Sequence, residues 1–192
     1  MSNVNISEEI IRTNEYLKKG QIILYPTDTV WGIGCDATNT SAINRIFDIK
    51  KRSVNKSFLI LLDEPEKLSL YVEHIPLIAW DLIEQANRPT TFIYSGVKNL
   101  PSSLMASDGT IAIRIVRNEF CKKLISLFGK PIVSTSANLS GEPTPMRYQD
   151  ISDNLKSRMD YIVNPQIGNI SDVKPSTIIR FIDDYNFEIV RD

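Results

Sequence analysis

Gln21-Ile22-Ile23-Leu24-Tyr25-Pro26-Thr27-Asp28-Thr29-Val30-Trp31-Gly32-Ile33-Gly34-Cys35-Asp36 is the stretch on which the fold turns. Residues 21–25 are an apolar run too short for a helix. Pro26 closes the run, so a buried strand is predicted there. It delivers a polar loop over 26–36 from its carboxyl end, where α/β sheets commonly carry their sites. Gly32 and Gly34 read as turn glycines of that loop. Upstream, Ile6, Ile10, Ile11, Tyr16 and Leu17 recur at helical spacing. Lys18-Lys19-Gly20 ends that helix with cations and a glycine stop.

Working outward, residues 41–51 repeat Ala42, Ile43, Ile46, Phe47 and Ile49 as one helical face, whose carboxyl end releases Lys50-Lys51-Arg52. A strand is predicted over 58–62, helices over 64–70 and 77–86, and strands over 90–94 and 110–116. Residues 119–128 read as a helix stopped by Gly129-Lys130-Pro131. A strand over 132–135 then leads into a Ser/Gly/Pro-rich loop over 136–145. A helix over 149–158 and strands over 161–163, 177–182 and 187–190 complete the chain, the last two joined by Asp183-Asp184-Tyr185-Asn186. Helices and strands intermingle, and hairpin-like pairs at both ends argue against a purely parallel sheet. The expectation is a layered α/β fold with a mixed, twisted sheet, as one domain over 1–192.

With 192 residues, 42% of them hydrophobic, the chain can bury a real core. A formal net charge of −1 gives no overall basic footprint for nucleic acid, so any anion site must be local. The first nine residues lack a basic region followed by an apolar run, and no run approaches the roughly 18–20 residues of a membrane span. Cys35 and Cys121 stand far apart with a single histidine, His74, which argues against a zinc site or a disulfide framework and fits a reducing cytoplasm.

Arg45, Lys50, Lys51, Arg52 and Lys56 gather against one acid, Asp48. Taken alone such a cluster is most simply a solvated helix end complementing the dipole; its functional reading is a phosphate or carboxylate site. Gly32-x-Gly34-x-x-Ala37 matches the dinucleotide fingerprint formally but not in context, because Pro26 to Trp31 separate it from the strand and no helix opens on it. No GxxxxGK[ST] loop occurs. Ser134-Thr135-Ser136-Ala137-Asn138 offers hydroxyls and an amide at a strand exit, by itself an ordinary turn segment. His74 reads as a surface residue, and Cys35 has no base near it in sequence.

Taken together, four segments carry more than their parts: residues 25–34, Ile49-Lys50-Lys51-Arg52 with Lys56, Thr110-Ile111-Ala112-Ile113-Arg114, and residues 134–141, followed by Pro175-Ser176-Thr177. In order and spacing they resemble the YrdC-domain family of threonylcarbamoyl-AMP synthases. The resemblance implies a three-layer α/β fold around a positively charged cavity. It implies a reaction joining L-threonine, bicarbonate or carbon dioxide, and ATP into threonylcarbamoyl-adenylate with release of pyrophosphate. A transferase partner then modifies adenosine in tRNA.

By the same resemblance, Lys50 and Arg52 form the KxR motif with electrostatic catalytic roles. Arg52, Lys56, Thr110, Asn138 and Arg191 match ATP positions. Thr29, Arg114, Ser136 and Ser176 match positions around L-threonine. Magnesium is expected with ATP and without a dedicated protein site. The family hydroxyl that binds ATP is Met146 here, the proline after KxR is Ser53, and the chain ends at Asp192 without the second domain of longer members. Two competing readings are an RNA-binding module, against which the net charge counts, and a paralogue with another small substrate, against which the KxR and SxN residues count.

Overall fold

The computed structural model describes residues 5–51, 58–168 and 175–192. Helix α1 spans Ile6–Lys18, with the Asn5 side chain accepting from the amides of Ser7 and Glu8 and with Ile10, Thr13, Asn14 and Leu17 buried. It feeds β1 (Ile23–Pro26), which turns back into β2 (Trp31–Gly34) as an antiparallel pair. Helix α2 (Thr40–Lys50) follows, then β3 (Leu59–Leu62), a 3-10 turn over Pro65–Leu70 and α3 (Leu77–Gln85). Strands β4 (Thr90–Tyr94) and β5 (Ile111–Ile115), helix α4 (Glu119–Phe128) and strand β6 (Ile132–Ser136) complete the centre. The carboxyl third holds α5 (Asp153–Lys156), β7 (Tyr161–Ile162), β8 (Thr177–Phe181) and β9 (Phe187–Arg191).

The strands form a nine-stranded sheet in the order β7-β1-β2-β6-β3-β5-β4-β8-β9. β1/β7, β3/β5 and β4/β8 pair parallel and the other neighbours antiparallel, so the sheet is mixed and flanked by helices, as expected. Strand side chains alternate between faces. Ile111, Ile113, Phe92, Tyr94 and Val133 are buried in the core, while their neighbours Ala112, Arg114, Thr91, Ile93 and Ser134 line a cavity. The period of two thus separates the core from the site.

Two local readings are corrected. Residues 31–34 are not part of a loop but strand β2, paired with β1 on one side and β6 on the other. Gly32 and Gly34 are needed for space rather than turning. A Cβ on Gly34 would lie 2.6 Å from both Tyr25 Cε1 and the Val133 carbonyl oxygen, and one on Gly32 would lie 3.1 Å from Ser134 Oγ. Nor is 149–158 one helix: it breaks into a 3-10 turn over Tyr148–Asp150 and the single turn α5, separated by extended Ile151 and restarted by the Ser152 cap.

Candidate active site

A cavity of about 400 Å³ opens on the face of the sheet just described. Its walls come from the β1–β2 connection, β3 to β6, and the two sides of β8, so residues remote in sequence converge because central strands lie side by side. Arg114 and Arg191 are its charged side chains among the described residues, and no carboxylate lines it there.

Arg114 rises from β5 with 4% of its surface exposed. Nε donates to Thr91 Oγ1 at 3.1 Å, one terminal nitrogen to Thr29 Oγ1 at 3.2 Å, and the other to Ser176 Oγ at 2.9 Å. Its partners are therefore neutral hydroxyls, and among the described residues no carboxylate forms an ion pair with it. Burial pulls the guanidinium below its usual pKa, against the opposing charge of Asp28. Asp28 itself accepts from the amides of Arg117 and Asn118 at 3.1 and 2.5 Å.

Thr29 is set by its neighbour. Thr27 donates its hydroxyl to the Val30 carbonyl at 2.7 Å and accepts from the Thr29 amide at 3.2 Å. Thr27 has then used its single proton, so Thr29 donates across their 3.3 Å contact. Thr29 keeps one lone pair toward the cavity. Arg191, at the end of β9, donates Nε and a terminal nitrogen to the Ser176 carbonyl at 3.1 and 2.8 Å. Ser176 thus sits between two guanidinium groups.

Lys50 lies elsewhere. It is only 2% exposed, and its ammonium donates to the carbonyls of Ser136 and Asn138 at 2.5 and 2.8 Å and to Asn138 Oδ1 at 3.3 Å. The Ser140 amide closes onto the Lys50 carbonyl at 3.0 Å, so α2 and the loop after β6 are stapled together. Within that loop Ser136 donates to Asn138 Oδ1 at 2.5 Å, and Asn138 Nδ2 donates to the Glu142 carbonyl at 2.6 Å.

Of the residues singled out in the sequence, Thr29, Arg114, Ser136, Ser176 and Arg191 line the cavity. Asn138 and Lys50 are not among its lining residues; they hold the loop that presents Ser136. Thr110 lines an adjoining cavity of about 320 Å³ with His74 and Arg180. Its hydroxyl donates at 2.6 Å to Asp108, whose pKa that bond and Arg180 hold down at about 2. Arg52, Lys56 and Ser53 lie outside the described residues. Sequence reading missed Thr91 and Thr144 in the lining; the polar–apolar alternation of Thr91 and Ile93 beside the Arg114 strand is the signal that could have found Thr91.

Fold and site together define a mixed α/β protein with a hydroxyl-lined cavity holding Arg114 and Arg191 on one sheet face. The chain belongs to the Sua5/YciO/YrdC family, whose model, described as "Telomere recombination", matches residues 15–192. A threonylcarbamoyl-AMP synthase of Pseudoalteromonas translucida is 36% identical over 165 residues, covering 84% of this chain and 87% of that protein. Another, of Wigglesworthia glossinidia brevipalpis, is 34% identical over 91% of this chain and 89% of its own length. The crystal structure of P. abyssi Sua5 complexed with L-threonine matches at TM-score 0.88 and 25% identity, covering 99% of this chain. This chain spans about half, 55%, of that Sua5. E. coli YciO matches at TM-score 0.83 and 28% identity, covering 99% of this chain and 91% of its own.

Proposed function

We propose that this chain is a threonylcarbamoyl-AMP synthase, joining L-threonine, bicarbonate or carbon dioxide, and ATP into threonylcarbamoyl-adenylate and releasing pyrophosphate. The observation that carries this reading is buried Arg114, hydrogen-bonded to three neutral hydroxyls in a cavity without a described carboxylate. A guanidinium has five N–H groups; with three committed, one remains on each terminal nitrogen, a fork matched to a carboxylate. The lone pair of Thr29 can accept from the amine of the same amino acid. Relatives named as this synthase, and the Sua5 complex with L-threonine, support that choice of ligand.

The amine of the held threonine adds to the carbon of carbon dioxide and loses a proton, giving a carbamate; starting from bicarbonate, that proton leaves together with the hydroxyl as water. A carbamate oxygen then bonds to the α-phosphorus of ATP as the bond to the β-phosphate oxygen breaks, and pyrophosphate departs. The protein's work is alignment and charge stabilisation. Arg191, Arg52 and Lys56 take the phosphates, with Thr110 and Asn138 on the nucleotide side. Lys50 contributes through the loop it holds, which sets Ser136. Thr144, two residues before Met146, supplies a hydroxyl at the cavity edge.

Among the described residues no group of three His, Cys, Asp or Glu side chains gathers where it could hold a metal. Magnesium would enter with ATP, held by its phosphate oxygens and water, and no step is routed through it. No helix among the described residues is long and apolar enough to cross a membrane. Two buried free cysteines, Cys35 and Cys121, fit a reducing cytoplasm. The product passes to a tRNA-modifying transferase; any direct tRNA contact would be weak at this net charge.

Pyrophosphate release tests the activity, with each substrate omitted in turn. Release is expected only when ATP, L-threonine and bicarbonate are all present. Release indifferent to threonine would sink the assignment.

A further inference from the structure

We propose that Thr91 is a positioning residue for the substrate carboxylate: it locks the orientation of the Arg114 fork that receives the anion. The inference rests on the synthase reading above. Thr91 lies on β4, 2% exposed, with its Oγ1 3.0 Å from Ser176 Oγ. The two oxygens meet Nε and a terminal nitrogen of Arg114 at 3.1 and 2.9 Å, as a carboxylate's two oxygens would meet a guanidinium edge. One edge of the fork is thereby filled by neutral acceptors and the opposite end is left open.

The proton positions follow from counting. Ser176 Oγ accepts from a terminal nitrogen of Arg114 at 2.9 Å and from one of Arg191 at 3.2 Å. With both lone pairs engaged, Ser176 must donate its proton to Thr91. Thr91 Oγ1 then accepts from Ser176 and from Arg114 Nε, so its lone pairs are filled too. Its one proton can only be given away, and Thr91 lines the cavity. Two N–H of Arg114 are therefore left for the ligand at the open end of the fork, and Thr91 acts on them by fixing the plane of the guanidinium. A neutral acceptor at position 91 also avoids what an aspartate would do there, which is to satisfy Arg114 internally and compete with the ligand.

Thr91→Val keeps the shape and removes the hydroxyl; Thr91→Ser keeps the hydroxyl. L-threonine affinity is read by calorimetry, alongside KM for threonine and for ATP, kcat and the thermal midpoint. For Thr91→Val, threonine Kd and KM should rise about tenfold or more, as expected for losing hydrogen bonds to a charged group. KM for ATP should stay within about twofold. Thr91→Ser should restore threonine binding. Unchanged threonine affinity in Thr91→Val overturns the proposal, as does a parallel rise in the ATP KM that Thr91→Ser fails to repair. A wild-type protein that ignores L-threonine overturns the synthase reading and this ligand with it, an outcome distinct from normal wild-type binding left untouched by Thr91→Val.

Discussion

Lys50 illustrates how a charge changes meaning on burial. In the chain it leads a basic cluster, yet its ammonium is enclosed and turned to two carbonyls and the Asn138 side chain, while Lys51 beside it is exposed and takes the left-handed C-cap conformation at φ 50°. Nothing in the local pattern separates the two lysines; only the loop arriving from β6 does. Lys50→Met would leave the Ser136 and Asn138 carbonyls without that donor. A loss of about 1–3 kcal/mol is expected in urea unfolding, together with reduced turnover as Ser136 loses its support. Unchanged stability would show that the staple is not worth what its geometry implies. The hydroxyls around Arg114 carry the opposite lesson. Thr29 and Ser176 were legible through family resemblance, whereas Thr91 sits in a segment without motif and gains its role from a guanidinium 23 positions away.

Elements were legible where local signals agree. Helix α4 ends where the chain places its signals, with Asn118 accepting from the Cys121 amide and Gly129 in the left-handed conformation at φ 76°. Strand β2 was hidden because all four of its residues are buried and glycines at alternate positions leave no apolar–polar alternation to mark it. They are small because Tyr25 and β6 press against them. Gly34→Ala is therefore expected to destabilise by about 1–3 kcal/mol, the usual cost of overpacking, read from the denaturant midpoint. A neutral result would mean that the β1–β2–β6 contact can open at little cost. The expected helix over 149–158 failed for a related reason: a run compatible with helix was overridden where Ile151 is buried in an extended conformation.

Across the whole molecule, the carboxyl third is tied to the front of the chain by Asp160. Its carboxylate accepts from the Ile22 amide at 2.7 Å and from both terminal nitrogens of Arg45 at 2.5 and 2.9 Å, joining the approach to β7 with the start of β1 and with α2. Burial raises its pKa, but the hydrogen bonds from Arg45 and Ile22 and the Arg45 charge outweigh it and hold the group below its ordinary value. A depressed carboxyl stabilises the fold above its unfolded pKa of about 3.9, and that contribution fades as pH falls through the lower folded value. The stability gap between wild type and Asp160→Asn should therefore be constant above about pH 5 and narrow below about pH 4. A gap independent of pH would assign the link to shape rather than charge.

The sequence by itself determined the helix and strand inventory in most places, the mixed sheet and the family, because periodicity, caps and short motifs are local properties of the chain. Tertiary structure alone decided that β2 lies between β1 and β6, that Lys50 faces the loop it holds, and that Arg114 is ringed by hydroxyls from β4, the β1–β2 connection and the start of β8. Those relations depend on which strands become neighbours and which face each side chain takes. Partners 23, 62 and 85 residues apart meet through sheet order, which no local pattern records.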